Sequence, residues 1–133
     1  MSTPEKSVLD RMFAAFGAQD AHAAAATVTD DSVWIHHGTQ KLPSMRFEGK
    51  AAVTKFFEIN FTTMSVEQFE VLSMVQEGAV VAVFGREKFT MSNAEGDFTQ
   101  KWVQVYTFRD GLIARMEEYA TSAPESDYNV ITE

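Results

Sequence analysis

Residues 98–121 read FTQKWVQVYTFRDGLIARMEEYAT. Apolar and polar residues alternate on both sides of Asp110-Gly111. An Asp-Gly pair between two alternating runs is a strong hairpin signal, because a tight turn needs residues that tolerate positive φ. Phe98–Arg109 and Leu112–Thr121 are therefore two strands joined by that turn. Upstream, Val66–Val75 and Ala79–Met91 have the same character. Glu77-Gly78 separates the first pair, and Ser92-Asn93-Ala94-Glu95-Gly96-Asp97 separates the second from Phe98. The second half of the chain thus reads as an antiparallel meander. Its strands are longer than the usual ~5–6 residues, and long strands in a small sheet should curl.

Before Val66 the period changes. Ser2 and Glu5 fit a capping box, with Pro4 tolerated in the first turn. Val8, Leu9, Met12, Phe13 and Phe16 then share one helical face, and Gly17 ends the helix. Asp20 suits an N-cap for a short alanine-rich helix, Ala21–Thr27, closed by Asp30-Asp31. Val33–His37 reads as a short strand ended by Gly38, and a loop with Pro43 follows. Gly49 precedes a third helix from Lys50 to about Phe61, with Val53, Phe56, Phe57 and Asn60/Phe61 inward. Helices segregated from an antiparallel sheet give an α+β fold. Three helices in the concave side of the curled sheet leave a cone, open at one end. The expected unit is a single domain over 1–133, with its core at about 5–122 and an exposed tail at 123–133.

Both faces of the long strands carry apolar residues: Val103 and Val105 alternate with Trp102, Tyr106 and Phe108. One face lines the cone. The other needs a cover, and a homodimer joined through the convex sheet face is the simplest one.

With 133 residues, 45% of them hydrophobic, the chain can bury a core without staples. It has no cysteine, which excludes a disulfide framework, a thiolate zinc site and a cysteine nucleophile. The formal net charge is −8, with Lys and Arg scattered, so neither nucleic acid nor an anionic membrane is an expected partner. No apolar run reaches the ~18–20 residues of a membrane span. The opening MSTPEKSVLDR lacks the charged and apolar regions of a signal peptide, so the expected location is cytoplasmic. Phosphate-loop, nucleophile-elbow and His-Glu-x-x-His patterns are absent. No metal and no organic cofactor is expected.

Strand parity assigns the cone lining. Trp34 and His36 face one way, Ile35 and His37 the other. Gln100, Trp102, Gln104, Tyr106 and Phe108 fall together, as do Met116, Glu118 and Ala120, and Gly85, Glu87 and Phe89. A bulge between any of these would swap faces. The cone then carries aromatic rings, a histidine, two carboxylates and two glutamines in an otherwise apolar wall, which is how small-molecule pockets are built. Histidine titrates near neutral pH, so His36 is the candidate general acid or base. The competing reading has His36 bonded to a buried group, Glu87 on a solvated edge within Arg86-Glu87-Lys88, and Glu118 paired across strands to Arg115 or Lys101. His22 belongs on the surface.

The element order, the Asp30-Asp31-Ser32-Val33-Trp34 strand entry, the Gly49 helix start and the ending Phe108–Tyr119 resemble the SnoaL-like family of the nuclear transport factor 2-like superfamily. The resemblance covers roughly residues 5–122. It implies a cone-shaped fold that hosts cyclases, isomerases, epoxide hydrolases, dehydratases and binding modules. Carried over from the limonene-epoxide hydrolase type, it places catalytic carboxylates at Glu87 and Glu118 and water-positioning residues at Trp34 and His36. Pocket residues fall at Gln100, Trp102 and Met116. The arginine that joins the carboxylates in that group is replaced by Gly85, and Arg86 points to the other face. The acid that SnoaL-like cyclases carry near the end of the last strand is missing from Ala120-Thr121-Ser122.

Two functions follow. In the first, the cone binds a small, mostly apolar molecule and does cofactor-free acid/base chemistry on it. His36 is acid or base, Glu87 and Glu118 share the proton or orient water, and Trp34, Trp102, Tyr106 and Met116 shape the pocket. In the second, the chain is a non-catalytic ligand-binding or dimerisation module.

Overall fold

Thr3, rather than Ser2, caps the first helix. In the computed structural model, which describes residues 2–132, the Thr3 hydroxyl accepts from the Lys6 N–H at 3.2 Å and Pro4 takes the first helical position. Proline is tolerated there because that N–H has no partner inside the helix. Helix α1 (Pro4–Gly17) buries Val8, Leu9, Met12 and Ala15. Asp20 caps α2 (Ala21–Ala25) by accepting from the Ala23 N–H at 3.0 Å. This helix stops before the expected Thr27, whose hydroxyl donates back to the Ala24 carbonyl at 2.6 Å as the chain turns into a strand.

That strand, β1 (Val28–His36), begins earlier than its apolar pattern announces. Asp30 and Asp31, which the sequence reading takes as a break, lie inside it. They are exposed at a register shift between Val28 and Val33. A bulge of this kind lets a strand keep charged residues in solvent. The segment expected to be loop contains β2 (Met45–Glu48), an edge strand pairing antiparallel with β1 through Trp34 opposite Phe47. Four residues are too few for alternation to show. Helix α3 (Lys50–Thr63) follows Gly49 and buries Val53 and Phe57.

The meander is β3 (Met64–Glu77), β4 (Val80–Met91), β5 (Asp97–Arg109) and β6 (Leu112–Thr121). Asp110 (φ 54°) and Gly111 (φ 78°) make the turn expected of them. The six strands form one open sheet in the order β2-β1-β6-β5-β4-β3. This sheet is mixed rather than wholly antiparallel: β1 lies parallel to β6, with Trp34 beside Met116 and His36 beside Glu118. Parallel neighbours need a long connection, and the run from β2 to β5 supplies it. Register shifts in β3, at Val66/Gln68 and Val71/Ser73, bend the far edge. The concave face, with Trp34, Val81, Val83, Tyr106, Ile113 and Met116, packs on Leu9, Met12, Val53 and Phe57 in one core.

Gly85 is the close-packing point of β4. A β-carbon there would lie 2.2 Å from the Trp102 ring and 2.6 Å from the Glu70 carbonyl oxygen. The Trp102 indole fills the space that any side chain at 85 would take. It also stacks on Phe69, with ring centroids 5.4 Å apart.

The chain is pinned just before the tail. Ser122 is buried, and the side-chain Oε1 of Gln40 accepts from its N–H at 2.8 Å and its hydroxyl at 3.1 Å. A single 3₁₀ turn, Glu125–Asp127, follows, with Glu125 paired to Lys101 at 2.6 Å. The tail as read from the sequence ends at Glu133, which lies outside the described residues. None of the described helices is long and apolar enough to cross a membrane.

Candidate functional site

The concave side of the sheet does not close completely on the helices. A cavity of about 90 Å³ remains, lined by Trp34, His36, Glu87, Gln100, Tyr106, Met116 and Glu118 among others. These are the residues that strand parity assigns to the cone. Between them the β4–β5 and β5–β6 ladders run without a shift; the one shift in β5–β6, at Thr107/Phe108, lies beyond Tyr106. Gly85, Phe108 and Ala120 share that face without lining the cavity, and so does Trp102. Trp102 is buried, but Gly85 and Phe69 draw its ring away. Gln104, Asn60, Leu42 and Phe69 line it as well. The parity pattern already marked Gln104. Leu42 comes from the loop before β2 and Asn60 from the last turns of α3, and neither carries a sequence signal of chemistry.

A chain of polar contacts crosses the cavity floor. The Tyr106 hydroxyl donates to Gln104 Oε1 at 2.5 Å, and Gln104 Nε2 donates to Glu118 Oε1 at 2.9 Å. Glu118 Oε2 stands 3.4 Å from His36 Nε2. The parallel pairing of β1 with β6 creates this approach by placing the two residues side by side. Neither cross-strand partner considered for Glu118 reaches it: Arg115 bonds Glu117, and Lys101 bonds Glu125. Glu87 likewise avoids the solvated edge. It is 7% exposed and accepts from Gln100 Nε2.

Electrostatics follow from this placement. Burial pushes the Glu87 carboxyl up to about 7, Glu118 adds to the rise, and the Gln100 bond and His36 oppose it. The adjacent Glu118 carboxylate raises His36 above its usual range, against burial. The His36 ring is also tied at its other nitrogen, where Nδ1 accepts from the Gly38 N–H at 2.9 Å. That bond requires a lone pair on Nδ1, so the ring proton in this geometry sits on Nε2, toward Glu118. A second proton on His36 costs the Gly38 bond. Desolvation raises Tyr106 well above the usual tyrosine range, so its hydroxyl stays protonated.

His37 has the opposite orientation, as parity requires. It stacks on Tyr119 at 4.5 Å and contacts Glu117 at 3.1 Å on the convex face. His22 is exposed on α2. Among the described residues no three His, Asp or Glu side chains are grouped to hold a metal ion.

The cone, its three helices and its buried polar floor can now be set beside known proteins. The SnoaL-like domain matches residues 9–116. The chain belongs to the SnoaL-like family. An NTF2-like protein from Burkholderia xenovorans LB400 superposes with a TM-score of 0.78 at 25% identity, over 90% of this chain and 92% of that one. A protein with a ketosteroid isomerase-like fold from Catenulispora acidiphila DSM 44928, in complex with trimethylamine, gives 0.74 at 14% identity, over 89% and 86%. TerC, co-crystallized with polyporic acid, gives 0.71 at 24% identity, over 88% and 91%. No curated protein matches the chain.

Proposed function

We propose that this SnoaL-like chain binds a small, mostly apolar molecule in its cone and performs cofactor-free proton transfer on it. The observation that carries this reading is the convergence of His36, Glu118 and Glu87 on one buried, aromatic-walled cavity. A carboxyl near 7 exchanges its proton at neutral pH, which suits a general acid or base. His36 Nε2–H and the Glu118 carboxylate form the second half of the relay. Trp34, Tyr106 and Met116 shape the wall. Gln100 and Gln104 hold the two carboxylates in place. Isomerisation, cyclisation, dehydration and water addition all fit this set of groups. Complexes of the trimethylamine-bound neighbour and of TerC with small organic molecules support a binding role for the cavity.

Thermal unfolding against a panel of terpenoids, steroids, aromatic polyketides and epoxides tests the reading. A ligand at 100 times its Kd adds about 2.7 kcal/mol, which raises the midpoint by roughly 8–10 °C for a chain of this length. Turnover of that ligand should then disappear in the His36→Ala/Glu118→Gln double variant. Turnover that survives both changes refutes the assignment, and a ligand recovered unchanged after incubation reduces the function to binding.

The homodimer belongs to the same proposal. Leu72, Val75, Phe84 and Tyr119 are large, exposed apolar side chains on the sheet. Leu72, Phe84, Val103 and Tyr119 line one shallow groove on its convex side. A second copy meeting this face about a two-fold axis covers the patch on both chains. Sedimentation equilibrium should give twice the chain mass, and Phe84→Glu with Tyr119→Glu should return it to the monomer without loss of helix or sheet signal. A wild-type monomer at high micromolar concentration removes the dimer from the proposal. The net charge of −8 suits the cytoplasmic setting expected for such a protein.

A further inference from the structure

The cavity has two parts of different chemistry. Its inner part, about 90 Å³, holds the polar floor. A more open hollow of about 200 Å³ adjoins it, and His36, Leu42, Phe56, Asn60, Met64 and Phe89 belong to the walls of both. The outer hollow adds Pro43, Met45, Phe47, Ile59 and Met91, with no charged group beyond the shared His36. Methionines at such a mouth adapt to flexible apolar chains. The inner part is smaller than a cavity of ~150 Å³ that accepts a benzene ring. A ligand therefore puts only a narrow head group inside and keeps its apolar bulk at the mouth.

The floor specifies that head group. Trp34 is 2% exposed and lines the inner cavity, yet its Nε1–H has no acceptor. His36 Nε2, which carries the ring proton while Gly38 occupies Nδ1, stands 3.4 Å from Glu118 Oε2 but makes no aligned hydrogen bond to it. The two residues are two apart on β1 and face the same way. Buried donors without acceptors are costly and are expected to find a partner. The glutamines, Tyr106 and the Gln100-bonded oxygen of Glu87 are already engaged with one another.

We propose that the ligand is a neutral carbonyl compound whose oxygen accepts from Trp34 Nε1–H and His36 Nε2–H, with an aliphatic or alicyclic body in the methionine-lined mouth. This rests on the cavity being the ligand site, as argued above. A carboxylate head is disfavoured by the Glu118 carboxylate, which faces the same space.

Calorimetric titration of the full chain with three probes of one length tests the assignment. The probes are 2-heptanone, its isostere 2-methyl-1-heptene with =CH2 in place of =O, and heptanoate. The ketone should bind most tightly, with the carboxylate weaker by about a hundredfold through like-charge repulsion. Trp34→Phe keeps the ring and removes the N–H. It should cost the ketone about 2–12-fold, the value of one hydrogen bond, and leave the alkene unchanged. 2-Butanone, which lacks the tail, should bind more weakly than 2-heptanone. An alkene that matches the ketone, or a heptanoate that exceeds it, overturns the carbonyl assignment while leaving the cavity a binding site. If members of the broader panel bind and 2-heptanone does not, the carbonyl assignment alone falls. If nothing in either set binds, the functional reading falls with it.

Discussion

Alanine at position 85 should lower the stability of the domain by about 3 kcal/mol, the upper part of the range for overpacking a core. For a chain of this length that is a fall in Tm of roughly 10 °C. The added methyl group meets the Trp102 ring on one side and the Glu70 carbonyl on the other. The ring is a rigid plate already stacked on Phe69, and the carbonyl belongs to the β3–β4 ladder, so neither neighbour yields cheaply. Trimming the plate should recover part of the loss. Gly85→Ala in a Trp102→Leu background should cost less than in the wild type, a coupling visible in a double-mutant cycle of chemical denaturation midpoints. A Gly85→Ala variant that melts with the wild type would show that the indole does not occupy this space. The same packing explains why the arginine that the family resemblance expects between the two carboxylates has no place here.

Glu87→Gln should stabilise the protein at pH 8 and do almost nothing at pH 4.5. The folded carboxyl holds its proton to about 7, whereas the unfolded one releases it near 4.5. Between those values the folded state binds more protons than the unfolded state, so stability falls as pH rises. Above the window the cost of the buried anion reaches about 3 kcal/mol. Glutamine removes that cost and still accepts from Gln100 Nε2. His36 acts in the same direction: its raised pKa contributes stability below the unfolded value of 6.5, lost as pH rises through the folded value. The wild type should therefore lose stability between pH 5 and 8, and the variant should keep only the smaller slope left by His36. The lowered carboxylates, Asp31, Glu70, Glu117 and Glu125, titrate below this window and lie at the surface. Equal effects of the substitution at both pH values would mean that Glu87 is not an uncompensated buried acid.

Much of this arrangement is legible in the chain. Asp110-Gly111 and the long alternating runs fix the meander, and a ladder without shifts carries parity from Glu87 through Gln100 and Gln104 to Glu118. Other features lie beyond a local reading. β2 is too short to alternate, and the start of β1 is hidden by two aspartates at a bulge. Which strand lies beside β1, and in which direction, is settled by packing between distant segments. The His36–Glu118 contact depends on that choice. Trp102 has the right parity but the wrong depth, since its ring is captured by a glycine one strand away. The Gly38 bond that sets the His36 tautomer arises from a loop conformation with φ near 89°.

The parallel union of β1 with β6 has a temporal meaning. During synthesis, β1 emerges with its inner face, Trp34 and His36, awaiting a neighbour that begins only at Leu112. Until Leu112–Thr121 has left the ribosome, the N-terminal helices have only an incomplete wall to settle on. Such distant pairing makes folding slow, because the chain between must be ordered before the contact repays it. The His36–Glu118 pair proposed here therefore cannot form before both strands exist, and a nascent chain that stops short of Glu118 cannot display it.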